Sequence, residues 1–151
     1  MQSQSQMSSD FYELKKRLKD VGVAKFNSDH ERLVRIISSF NEVVDKLKKR
    51  RPEPADWEEI EKIFAELKNY TMRHFGAEEV LFEKHAYKNK DEHVREHRQL
   101  VSRLDELEGK ISEKQISYAV DLQFFLMDWL FNHINRHDMK YKDFFNAHGV
   151  S

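Results

Sequence analysis

Apolar residues return along most of the chain at alternating spacings of three and four, the period of a helix with one buried stripe. His30, Leu33, Ile37, Phe40, Val44 and Leu47 form the first stripe, and Ser28 with Glu31 gives a capping-box signal at its start. The basic run Lys48 to Arg51, followed by Pro52 and Pro54, should close that helix, since cations suit a helix C-terminus and proline cannot continue it. Asp56 with Glu59 opens a second helix whose inward face reads Trp57, Ile60, Phe64, Leu67, Thr71, His74, Glu78 and Leu81. A third should begin near Asn89, with His93, His97, Leu100, Leu104 and Leu107 inside and Gly109 as its stop. Ser112 to Gln115 precedes a fourth carrying Ala119, Leu122, Leu126, Trp129, Leu130 and His133, and Asp138 caps a short closing segment through Phe144 and Phe145. The expected fold is all-α: an up-down-up-down antiparallel four-helix bundle over residues 22–151, with an N-terminal arm over 1–21 and a short C-terminal helix. In the arm, Phe11, Leu14 and Leu18 suggest an amphipathic turn ahead of Gly22.

Composition narrows the function classes. With Gly 4, Pro 2 and Cys 0 in 151 residues, a loop-rich β fold and a disulfide scaffold are both excluded. Lys+Arg 26 against Asp+Glu 27 leaves a net charge of -1, no field for nucleic acid or an anionic membrane surface, so the basic run reads as a solvated helix end. No apolar stretch reaches membrane-spanning length, and residues 1–7 lack the charged and apolar regions of a signal peptide, which makes cytoplasmic the expectation. His 8 stands out in a chain without cysteine, because histidine is a common metal ligand and a poor filler of an apolar core.

In an up-down bundle the start of helix one, the end of two, the start of three and the end of four lie together. His30, His74 with Glu78, His93 with His97, and His133 occupy those places, so the inward stripes turn polar at one end of the bundle. Residues four apart share a helix face, so His74 with Glu78 and His93 with His97 each present two ligand atoms to one point. A single histidine on an apolar stripe is more often a hydrogen-bonded core residue than a ligand. Five histidines and a carboxylate converging at one level would leave many buried polar groups to satisfy, whereas a metal accepts their lone pairs directly. His133 and Asp138, five apart, do not share a face of a regular α-helix, and pairing them needs a deviation at the helix end.

The order His30, then His74-Phe-Gly-Ala-Glu78-Glu, then His93-Val-Arg-Glu-His97, then His133 through Asp138 resembles the hemerythrins, especially bacterial hemerythrin domains, over nearly the whole chain from Val21. The segment from Phe26 to His30 looks like that family's entrance to its first helix, and Met139 to Phe145 like its closing segment. The connection Lys48 to Pro54 looks like a surface insertion. The resemblance implies two iron ions bridged by Glu78, Asp138 and an oxo or hydroxo group. His93, His97 and His133 would complete one iron; His30 and His74 would bind the other, with a position open for O2. Reversible O2 binding follows as the implied function, with no catalytic residue. Two ferrous ions carry four positive charges, of which two carboxylates and a hydroxide offset three, so the centre can lie in an apolar pocket. Leu33, Phe75, Trp129, Leu130 and Ile134 are candidates for its dry wall.

Competing readings have sequence tests. Glu-x-x-His pairs of ferritin-like oxidases are absent, and His93 to His97 carries its glutamate in the wrong place for a zinc protease. An O2- or redox-sensing module, with the N-terminal arm as its contact surface, is one alternative. A diiron enzyme handling peroxide or NO is another, with His137 as the nearest acid or base. His85 and His148 lack a partner at ligand spacing and should be exposed.

Overall fold

The computed structural model describes residues 10–151, so residues 1–9 of the arm and their reading lie outside the described part. Four long helices follow in order: α1 Ala24–Lys49, α2 Pro54–Lys84, α3 Lys90–Ile111 and α4 Ile116–Asn132. α4 runs into a π-helical turn, His133–His137, and a 3-10 turn, Asp138–Tyr141, before the short α5, Lys142–Ala147. Each long helix packs on its sequence neighbours, and α1 also packs on α4, closing a square around one core. Among the described residues there are no strands, and no helix is long and apolar enough to cross a membrane.

Helix ends show where local chemistry differed from the expected caps. α1 starts at Ala24, four residues before Ser28, with Val23 as N-cap. α2 starts at Pro54, whose missing N–H suits the first helical position, and Glu53 and Asp56 form the capping box, so Asp56 sits in the first turn rather than at the cap. In the connection Lys48 to Pro54, Lys48, Lys49 and Pro54 are helical and residues 50–53 link the two helices. Its Arg50 is not merely solvated, because the guanidinium forks onto both Asp56 carboxylate oxygens at 2.8 Å. Gly109 does not stop α3, which continues to Ile111.

Residues 10–15 form a helical turn, and Phe11, Leu14 and Val21 of the arm are buried in the common core. Gly22 then turns the chain with φ +84, where an added Cβ would lie 2.6 Å from Lys142 Cγ. The arm is also tied to the π turn: Asn135 accepts the Lys19 N–H at 3.2 Å and donates its amide to the Arg17 carbonyl at 3.1 Å. Arg17 stacks over the Phe131 ring at 4.0 Å.

Candidate metal centre

The antiparallel order brings all seven predicted ligands to one end of the bundle, and all seven are buried, Glu78 and Asp138 to 0% exposure. Their donor atoms form two overlapping groups, each within 4.8 Å: Glu78, His93, His97, His133 and Asp138, and His30, His74, Glu78 and Asp138. The two carboxylates belong to both groups. The π turn solves the spacing of five: the Asp138 N–H donates to the His133 carbonyl, widening the turn until both side chains face inward. His133 Nε2 then lies 3.1 Å from Asp138 Oδ1.

Asp138 is ringed by imidazoles, with His93 Nε2 2.9 Å from Oδ1 and His30 Nε2 3.0 Å from Oδ2. Glu78 Oε1 lies 3.1 Å from His97 Nε2 and 3.4 Å from His74 Nε2. Its Oε2 accepts a hydrogen bond from the Tyr141 hydroxyl at 2.6 Å. Burial raises the pKa of Asp138, but His133, and then His30 and His93, hold it well below the usual carboxylate range. Burial and Asp138 push Glu78 up, yet His74 and His97 bring it below its ordinary value. The Tyr141 hydroxyl is raised well above its usual range by burial and by the charges of Glu78 and Asp138, so it stays a proton donor.

The donor set fits metal ions better than protons. His30 Nε2 and His74 Nε2 face each other at 3.1 Å, which at most one proton can satisfy. Glu78 Oε1, both Asp138 oxygens and the Nε2 atoms of His93, His97 and His133 are buried without a hydrogen-bond partner. Protonating five imidazoles against two carboxylates would leave three buried positive charges. Two divalent cations shared by both carboxylates would instead engage these lone pairs.

Outside this ring stand carboxylates that the spacing did not predict. The His74 Nδ1–H donates to Asp29 Oδ2 at 2.8 Å, and the His97 Nδ1–H to Glu79 Oε2 at 3.0 Å. Such bonds fix the tautomer that directs Nε2 inward. Asp29 is buried, which raises it, but His74, Tyr70 and Lys25 bring it down to about 2, keeping it an acceptor. Glu96 reaches toward His133 Nδ1 at 3.8 Å and His137 Nε2 at 3.6 Å. Adjacency to His30 and Glu78 was the available signal for Asp29 and Glu79. Tyr141 was signalled by its place one 3-10 turn after Asp138.

Leu33, Phe75, Trp129, Leu130 and Ile134 are all buried. Phe75 stacks on His97 with ring centroids 3.7 Å apart and planes at 7°, and meets Trp129 edge-on at 6.5 Å. His137 is half-buried and turns to Glu96, with its ring 6.4 Å from His93. His148 is exposed as expected, but His85 is half-buried and meets the His148 ring edge-on at 5.8 Å.

With this geometry in view, a family profile described as the Hemerythrin HHE cation binding domain matches residues 21–145. The chain belongs to the hemerythrin family. It is similar to the bacteriohemerythrin of Stenotrophomonas maltophilia, at 25% identity over 85% of this chain and 78% of that protein. The bacteriohemerythrin of Clostridium acetobutylicum is 26% identical over 82% of this chain and 94% of its own length. The hemerythrin of Phascolopsis gouldii is 34% identical over 51% of this chain and 57% of its own length. The fold is similar to that of a solved hemerythrin mutant, with TM-score 0.68 and 23% identity, over 82% of this chain and 88% of that one.

Proposed function

We propose that this chain binds O2 reversibly at a non-haem diiron centre and serves its carriage, storage or delivery. The observation that carries the reading is the pair of overlapping donor groups, three histidines on one side and two on the other, sharing Glu78 and Asp138. His93, His97 and His133 would hold one iron, His30 and His74 the other, and the two carboxylates would bridge them. Two iron ions so placed, with an oxo or hydroxo bridge, supply the two electrons that O2 takes up and returns. The two-histidine side has fewer protein donors, which leaves room for a small ligand. Leu33, Phe75, Trp129, Leu130 and Ile134 wall the centre and exclude water, and the Tyr141 hydroxyl donates its hydrogen bond to the ionised Glu78. Imidazole donors bring less negative charge than carboxylates, which favours return of the electrons over oxidation of a substrate.

The test is an absorption spectrum of iron-loaded protein reduced without air, exposed to O2 and then returned to an O2-free atmosphere. Charge-transfer bands that come with O2 and leave with it are the expected result. Bands that persist, or none despite bound iron, would reject reversible binding.

One observation favours a second reading, an O2 or redox sensor. The arm is bonded on both faces of the Asn135 amide, inside the turn that places His133 and Asp138. In that reading, backbone hydrogen exchange over residues 10–21 differs between the oxidised and reduced protein. Identical exchange argues for the carrier.

A further inference from the structure

A groove of about 360 Å³ opens on the surface between α2 and α3, away from the arm. Its walls include Met72, Gly76 and Val101, its rim is polar with Arg98 and Asp105, and its floor is Phe75 and His97. Phe75 is thus the apolar ring between this groove and the interior of the centre, beside His97. Its outer side lines the groove, while the same ring stacks on His97 at 3.7 Å, lies 5.4 Å from His133 and 6.5 Å from Trp129, and reaches the two-histidine side at His74, 6.1 Å away. We propose that this groove is the route by which O2 reaches the centre, with Phe75 as its gate. The assignment rests on the functional reading above, and the occupant is a small apolar gas in transit rather than a docked partner.

Two features of the walls support a passage rather than an incidental crease. Gly76 is an exposed glycine in the middle of the 31-residue helix α2, where the backbone needs no glycine and an added Cβ would meet nothing within 4 Å. Any larger residue there would project into open space at the groove. Met72, 49% exposed, lines the groove one turn earlier along α2, and its unbranched thioether yields readily to a passing molecule. On the floor, Glu79 accepts the His97 Nδ1–H at 3.0 Å, which occupies the outward nitrogen of that ring. The apolar part of the lining, Met72, Phe75 and Val101, with a ring that can swing, suits a diatomic gas.

Trp129 gives a readout that does not depend on iron. In a Trp57→Phe background, protein loaded with redox-inert zinc has one tryptophan, on the inner side of Phe75, and collisional quenching of its fluorescence by dissolved O2 reports gas arrival. The assignment expects Gly76→Leu to lower that quenching rate at least threefold with an unchanged or higher melting temperature, and Gly76→Ala to change it little. Phe75→Ala should raise it. In iron-loaded protein that binds O2, Gly76→Leu should slow association and dissociation by the same factor and leave Kd unchanged, the signature of a route rather than of a changed centre. Unaltered quenching in folded Gly76→Leu, or a slowed association with unslowed dissociation, overturns the route. Absence of a reversible O2 adduct in the unmodified protein rejects the functional reading instead and leaves the quenching test standing.

Discussion

Asp56 and Asp138 are both buried carboxylates, at opposite ends of the same bundle, and they are satisfied in opposite ways. Asp56 takes two bonds from Arg50 and a third from the Glu53 N–H, all at 2.8 Å, and its side chain serves only to start α2. Asp138 is fully buried, has no hydrogen-bond partner on either oxygen, and faces three imidazole Nε2 atoms at 2.9–3.1 Å. Around the Asp56 end the core is Leu47, Trp57, Ile60, Leu107, Ile111 and Leu122, a stripe that keeps its helical period. Around the Asp138 end the same stripes are polar. A carboxylate that folding alone requires is closed by the chain, whereas one kept for a ligand is left open at a cost that apolar packing elsewhere must offset.

The sharpest way to break that comparison is to remove a residue from each end. Asp138→Ala takes away the group shared by both donor sets, and metal content should fall from about two ions per chain to fewer than one, by elemental analysis. Ile60→Ala, at a position fully buried in the apolar end, should cost about 2–5 kcal/mol in denaturant unfolding and leave metal content intact. If Ile60→Ala removed the metal, or Asp138→Ala retained it, the two ends would not be the separate units their chemistry indicates.

Removing the metal sets the polar end against itself. In the metal-free state burial lowers the basicity of His133, but Asp138, and then Glu96, override it and push His133 up to about 10. The unfolded value is 6.5, so the stabilisation is fully present below that pH and is lost as pH rises toward 10. Bound metal takes the proton's place and removes this dependence. Melting temperature should therefore fall between pH 7 and pH 9 for chelator-treated protein and hold for loaded protein, and loading at neutral pH should release protons. Parallel pH profiles for the two forms would contradict the assignment of His133 as a ligand.

How much of this was legible in the sequence follows from the range of each signal. His74 with Glu78 and His93 with His97 are local pairs whose geometry any α-helix dictates, and short loops then bring the four ends together. His133 with Asp138 was legible only as a conflict with helical period. The shift of one backbone hydrogen bond that resolves it, from Asp138 N–H to the His133 carbonyl, leaves no mark in residue types. Asp29 on His74 and Glu79 on His97 depend on how α1, α2 and α3 are rotated about their axes, which spacing along one helix does not set. The starts of α1 and α2 were misplaced because acceptor-x-x-acid patterns recur: Glu53 to Asp56 and Asp56 to Glu59 both fit, and Pro54 at the first position decides between them.

A smaller effect is expected at Tyr141. Tyr141→Phe removes the single hydrogen-bond donor on Glu78 Oε2 while keeping the ring against Phe26 and Phe145. A bond to a charged group contributes about 1.5–3 kcal/mol. Metal content should stay at the unmodified level while the metal dissociates faster into a chelator, by about tenfold. An unchanged dissociation rate would mean that the hydroxyl does not support the carboxylate once metal is bound.

The smallest expected effect separates the ends by their glycines. Gly76 and Gly109 are both helical, and an added Cβ at either meets nothing within 4 Å, so neither is required by packing. Alanine at a helix interior gains about 0.8–1 kcal/mol over glycine, which for a domain of this size is about 2–4 °C in Tm. Gly76 lies in the middle of α2 and should show the whole gain; Gly109 is two residues from the end of α3 and should show less, because a fraying last turn orders less backbone. Gly76→Ala is thus expected to stabilise the polar end more than Gly109→Ala stabilises the apolar end, by thermal unfolding of the loaded protein. A helix that gains from losing its glycine does not hold that glycine for its own stability.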